Sequence, residues 1–243
     1  MKRLVTAVFC YGLIACGNNS GGKEQPVADG TDSVAAASGP QSKLNLQISK
    51  FEEIDSSGVL MFPLAMGETE KRGKSDYYKE VPYNMYWNII FYNSANGQSY
   101  LLSDTLKLLV NDFGYNNPEQ RDKLKSKSKL FFNLTIKDNN EDGLLDGSDP
   151  NYLFVTDKQG KNLQQVSPPG CDFFDWYVVE NSDLVIMLVR VDSNKDNIFD
   201  EEDEKAAYRF DLTADSVPVE IVEPAFKNKL RNLYHRDWQR KKQ

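Results

Sequence analysis

From residue 59 onward, short runs rich in Val, Ile, Leu and aromatic residues recur, each bounded by Gly, Asn, Asp or Ser. That is the pattern of strands separated by turns. The runs form a unit used three times: a strand, a loop, a second strand, a tight turn and a third strand. The first unit reads 59–64, 87–92 and 100–102, with its turn at Asn96-Gly97, a strong hairpin signal. The second reads 130–136, 152–155 and 163–166, and its turn runs from Asp157 to Gly160. The third reads 184–189, 207–210 and 217–221, with a turn near Ala214-Asp215. Alternation in the first unit's aromatic strand puts Trp87, Ile89 and Phe91 on one side and Tyr86, Ile90 and Tyr92 on the other. The expectation is a strand buried on both faces. Tyr77 and Tyr78, in the polar loop before it, are expected to be the exposed rings able to recruit a sugar or protein. The period becomes helical only at the end, where Phe226, Leu230, Leu233, Tyr234 and Trp238 follow Pro224. Such a helix is expected to pack its apolar stripe on the domain and leave its charges in water, although its bases also suit anionic lipid or a partner.

The run Thr156-Asp157-Lys158-Gln159-Gly160-Lys161-Asn162-Leu163-Gln164-Gln165-Val166, followed by Trp176 and then Leu184-Val185-Ile186, resembles TolB-type β-propeller repeats. The resemblance covers most of 59–222 and is closest in the second and third units. It implies that each repeat supplies one four-stranded blade. Three units are one short of the smallest usual closed propeller. The expected fold is therefore mainly β, with three blade-like antiparallel β units in an incomplete propeller or open β stack, and a C-terminal helix. The N-terminal strand and that helix would cover its edges. An unrelated β-sandwich shares the same short strands and regular turns.

At the N-terminus, Lys2 and Arg3 precede an apolar run, 4–14, too short to span a bilayer as a stable helix. Leu13-Ile14-Ala15-Cys16 resembles a bacterial lipobox. The resemblance implies cleavage after residue 15 and acylation of Cys16 with palmitate-type chains, several of which make a lasting anchor. An ordinary secretory peptide with an incidental Cys16 is the other reading. By the first, the protein is an outer-membrane lipoprotein of the cell envelope on its periplasmic or surface face, since Gly17 and Asn18 carry no strong inner-membrane retention signal. Residues 17–42 are rich in Gly, Ser, Ala, Asn and Gln without apolar periodicity, as in a flexible stalk of reach about 25 to 30 Å. The division is a signal peptide at 1–15, a lipidated linker at 16–42, a β-rich domain at 43–223 and a basic helix at 224–243. Once Cys10 is cleaved away and Cys16 acylated, Cys171 has no intramolecular disulfide partner.

The net charge of −7 becomes about −9 without Lys2 and Arg3. It is unevenly spread. From Lys227 onward there are seven Lys or Arg against one Asp, so the tail is +6 and the rest of the mature chain about −15. An acidic body excludes general nucleic-acid binding, which needs basic surface against phosphates. It suits divalent cations.

Two loops repeat one acidic pattern: Asp138-x-Asn140-x-Asp142-Gly143-x-x-Asp146-x-x-Asp149 and Asp192-x-Asn194-x-Asp196-Asn197-x-x-Asp200-x-x-Asp203. Each sits between the first two strands of its unit. The spacing resembles the EF-hand calcium loop, which sets oxygen ligands at positions 1, 3, 5, 7, 9 and 12. By that resemblance Ca2+ occupies two sites. One is formed by Asp138, Asn140, Asp142, the Leu144 carbonyl, Asp146 and Asp149, the other by Asp192, Asn194, Asp196, the Ile198 carbonyl, Asp200 and Asp203. Two departures matter: position 12 is Asp rather than bidentate Glu, and the flanks are strands rather than helices. A weak affinity, about 10⁻⁴ to 10⁻³ M, and a structural clamp rather than a switch follow. Asx-rich turns without metal are the plainer alternative.

Signals for catalysis are sparse. His235, the sole histidine, lies on the basic tail, and a mechanism through Cys171 would need a chance tertiary meeting. Asp104-Thr105-Leu106 and Asp215-Ser216-Val217 resemble the short O-glycosylation motif of Bacteroidetes envelope proteins. The expectation is a non-enzymatic binding or scaffold module that meets the membrane through its N-terminal lipid and an envelope protein or glycan as partner. The alternative is an accessory or degraded hydrolase acting on envelope glycans, which would need two facing carboxylates outside the metal loops.

Overall fold

The computed structural model describes residues 46–66, 85–114, 128–213 and 217–240. The signal segment, Cys16, the stalk, Tyr77, Tyr78, Tyr83 and the Ala214-Asp215 turn lie outside these residues. The chain forms three antiparallel, blade-like layers. In the first, β1 (Gln47–Ile48) and β2 (Glu52–Glu53) both pair with β3 (Val59–Ala65), followed by β4 (Tyr86–Asn93) and β5 (Gln98–Leu101). The second is the meander β6 (Leu109–Phe113), β7 (Lys129–Thr135), β8 (Asn151–Asp157) and β9 (Gln164–Gln165). The third is β10 (Cys171–Val178), β11 (Leu184–Val191), β12 (Glu204–Asp211) and β13 (Val219–Glu220). The first two layers share one nine-stranded sheet, joined where β4 meets β6 at a single residue pair, Tyr86 opposite Val110. The third is a separate sheet, so the arrangement is an open β stack.

Period-two alternation decides which residue fills which interface. Along β7 and β8, Leu130, Phe132, Leu134, Tyr152 and Phe154 face the first layer and meet Val59, Met61, Ile89 and Phe91. Their neighbours Phe131, Leu153 and Val155 face the third layer and meet Phe173, Val185, Met187, Val189 and Phe210. The middle layer is thus apolar on both faces, which explains the unbroken run Leu130-Phe131-Phe132. Each such buried side chain contributes roughly 1.5–3 kcal/mol. Phe131 also stacks on Trp176 with ring centroids 4.4 Å apart.

All nine anticipated strands of the three units form, and β1 and β2 stand where one N-terminal edge strand was expected, but β6 and β10 were not foreseen. Each carries a register shift, between Val110 and Asp112 in one and between Phe173 and Asp175 in the other. A bulge breaks the alternation by which a strand is read, and these strands begin the second and third layers. A third shift, at Leu64/Ala65, turns Tyr86 onto the same core as Ile89 and Phe91, not to the opposite side. Gly160 in the β8–β9 turn has φ +74°, and a Cβ there would run into the Phe91 ring. Glycine therefore serves both backbone and packing.

Helix α1 (Pro224–Asp237) starts on Pro224 and buries none of its residues. This corrects the expectation that its apolar stripe packs on the domain. What the third layer presents to it is carboxylate: Lys227 pairs with Glu204 at 2.8 Å and also with Glu220, and Arg231 meets Glu204 at 2.8 Å. Among the described residues no helix is long and apolar enough to cross a membrane.

Candidate metal loops

The first acidic loop joins β7 to β8 and the second joins β11 to β12, each closing an antiparallel pair. Both reverse direction through left-handed residues at their fourth and sixth positions: Glu141 (φ +58°) and Gly143 (φ +85°), then Lys195 and Asn197 (both φ +63°). No atom lies within 4 Å of a Cβ built on Gly143, so the conformation and not space favours glycine there. Asn is the residue that best tolerates that region otherwise, which is why Asn197 substitutes.

Each side chain named from the sequence accepts hydrogen bonds from its own loop's backbone. In the first loop Asp138 accepts the N–H groups of Asp142 and Gly143, at 3.2 and 2.9 Å. Asn140 accepts that of Asp142 at 3.0 Å, Asp142 that of Leu144 at 2.8 Å, and Asp146 that of Ser148 at 2.9 Å. Asp149 closes the ring by accepting from Asn139 at 2.8 Å and Asp146 at 3.1 Å. The second loop repeats this almost position for position. Asp192 accepts from Lys195 and Asn197, Asn194 from Asp196, Asp196 from Ile198, Asp200 from Glu202, and Asp203 from Ser193 and Asp200.

Within each ring the last carboxylate is the buried one: Asp149 is 3 % exposed and Asp203 is 6 % exposed. The Ser193 backbone N–H, aided by those of Asp200 and the Ser193 hydroxyl, holds the Asp203 carboxyl below the usual range against the opposing cost of burial. The loops also touch, Asn139 Nδ2 donating to the Asn197 carbonyl at 2.8 Å. Among the described residues, no three Asp, Glu, His or Cys side chains stand together as a metal-holding group. The donor chemistry is nevertheless all oxygen, which suits a hard cation.

A polar network behind the loops was not anticipated. The Asn151 N–H, at the start of β8, donates to the buried Asp172 at 2.9 Å. Arg190 then bridges Asp172 at 3.0 Å to Glu201 in the second loop at 3.1 Å, and Lys205 meets the other Glu201 oxygen at 2.7 Å. Apart from Glu201 and Lys205, which are four residues apart, these residues lack a shared spacing, and the sheet registers assemble them.

Among the described residues, neither reactive candidate has an activating partner. Burial, then the nearby Glu220 and Asp172, push the Cys171 thiol up to about 11, which keeps it protonated. His235 is exposed on α1, its Nδ1 2.8 Å from Gln239 Oε1. Among the described residues, two shallow depressions bear on catalysis. One runs along Ser99 to Leu106 and contains a single carboxylate, Asp104; the other lies along α1 and contains none.

No known family profile matches the chain, and no curated protein does. Among solved structures, the crystal structure of the tricorn protease is similar over 69 % of this chain and 18 % of that one, at 11 % identity and a TM-score of 0.34.

Proposed function

We propose that this chain is a lipid-anchored, non-enzymatic binding or scaffold module of the cell envelope, in which each acidic loop takes one calcium ion. The observation that carries the reading is the duplication: two loops of different sequence share one pattern of hydrogen bonds and one pair of left-handed positions. Asp138, Asn140, Asp142, Asp146 and Asp149 would hold one ion, and Asp192, Asn194, Asp196, Asp200 and Asp203 the other, with the Leu144 and Ile198 carbonyls. The bound ion would clamp adjacent strands and relieve the mutual repulsion of the carboxylates. Anchoring through Cys16 rests on the lipobox-like sequence. The hydrolase alternative gains nothing from the two depressions, neither of which holds a pair of carboxylates.

A second reading, metal-free Asx turns, is favoured by the lack of a converged acidic group among the described residues. Thermal melts separate the two. With 10⁻² M calcium and an affinity of about 10⁻⁴ to 10⁻³ M, each site adds about 1.4–2.7 kcal/mol, and the gain disappears in Asp142→Asn/Asp196→Asn. Superimposable melts in calcium and in chelator would favour the metal-free turns.

A further inference from the structure

Helix α1 carries its apolar residues in the open: Trp238, just past its end, is 74 % exposed, Tyr234 60 % and Phe226 50 %, and Leu230 and Leu233 are exposed as well. At about 100° per residue, Phe226, Leu230, Leu233 and Tyr234 share an arc of about 100°. Lys227 and Arg231 border one side of that arc, and Lys229 and Arg236 the other. The first pair is tied to Glu204 and Glu220, so the helix is held at the third layer by one flank while the stripe stays free of the domain.

We propose that α1 lays this stripe on an anionic lipid bilayer. An occupant of the stripe must offer apolar depth together with negative charge at its outer rim, because Lys229 and Arg236, the latter also paired with Asp237, border the side turned from the domain and Arg240 follows them. The acidic loops of a second copy offer charge with little apolar surface. The third layer's outer face, with Tyr177, Leu188 and Val219 exposed, is mixed in charge, Arg209 and the Glu201-paired Lys205 standing beside Asp175 and Asp211, so it offers no uniformly negative rim. Anionic lipid supplies both requirements, and a helix with Lys and Arg beside Trp, Phe and Leu is of the kind that lies in the interface plane. With 14 residues it is about 21 Å long, so it rests on the bilayer and does not cross it. The acidic body, at about −15, turns away from the same surface and so fixes the orientation.

The test is flotation of the full chain, every protein carrying Cys16→Ser so that no acyl anchor holds it, with vesicles of phosphatidylcholine alone and of phosphatidylcholine mixed with phosphatidylglycerol. Partitioning to the mixed vesicles is expected to fall at least about tenfold in Lys229→Glu/Arg236→Glu, to fall likewise in Leu230→Asp/Leu233→Asp, and to weaken with salt. Every protein compared carries the same N-terminus, so the differences read the helix alone. None of the four positions is buried, so melting temperatures should stay unchanged and confirm folding. Equal partitioning of the variants and the parent overturns the proposal. So does a stripe variant that changes the sedimenting mass without changing vesicle binding, which would assign the stripe to a second copy.

Discussion

The two acidic loops share a backbone and differ in how they are fastened. In the first, the tenth and eleventh positions are Gly147 and Ser148, and the Ser148 hydroxyl turns back onto Asp146 at 2.7 Å. In the second they are Glu201 and Glu202, and Glu201 reaches out of the ring to Arg190 and Lys205. The second loop is therefore wired through Arg190 and Asp172 into the sheet, whereas among the described residues the tenth and eleventh positions of the first make no such bridge. The same loop conformation arises with and without that tether. Its cause must lie in what the loops have in common: carboxylates and amides that accept the N–H groups a tight turn leaves unpaired.

The largest effect is expected from cutting the tether. Arg190→Met leaves Asp172 buried without its cation and should cost about 2–3 kcal/mol in urea unfolding, short of a fully buried pair because Arg190 is partly exposed. Hydrogen exchange should rise in 192–203 and stay unchanged in 138–149. Equal loosening of both loops would break the distinction drawn between them. A smaller effect tests what they share. Gly143→Val and Asn197→Val each force a β-branched residue into positive φ and should each cost about 1–3 kcal/mol, while Asn197→Gly is close to neutral. If Asn197→Val were harmless, the second loop would not need its left-handed residue.

The smallest effect is in pH. Around the second loop the Ser193 N–H lowers Asp203, Lys205 then Arg190 lower Glu201, and Lys227 lowers Glu204. A carboxyl whose folded value is depressed contributes stability that is present above its unfolded value, and loses it as pH falls through the folded one. Stability should therefore be flat from neutral pH down to about 5 and decline below about 4, with Glu201→Gln flattening the decline. Melting temperatures at pH 7 and pH 3.5 measure this. A decline of the same size in Glu201→Gln would place the acid sensitivity outside the tether.

Much of this was readable before any coordinates. Spacing fixed the two loops because a ring of twelve residues with Asp or Asn at alternating early positions satisfies its own backbone locally. Short β-rich runs bounded by turn residues marked nine strands, including the middle pair that is apolar on both faces. Strands β6 and β10 stayed hidden because bulges interrupt their period, and α1 misled because an apolar stripe on a helix does not name what will cover it. The Asn151–Asp172–Arg190–Glu201 connection had no sequence signature at all.

What the sequence settled alone is local: the periods, the turns with their left-handed residues, and the loops' own hydrogen bonds, each formed among residues a few positions apart. What only the tertiary structure decided is which faces meet, that the first two layers join through Tyr86 and Val110, that Arg190 ties the second loop to the sheet, and that α1 is held by charge with its stripe exposed. Those outcomes depend on sheet registers and on contacts between distant segments. No short window of residues contains the energies that set them.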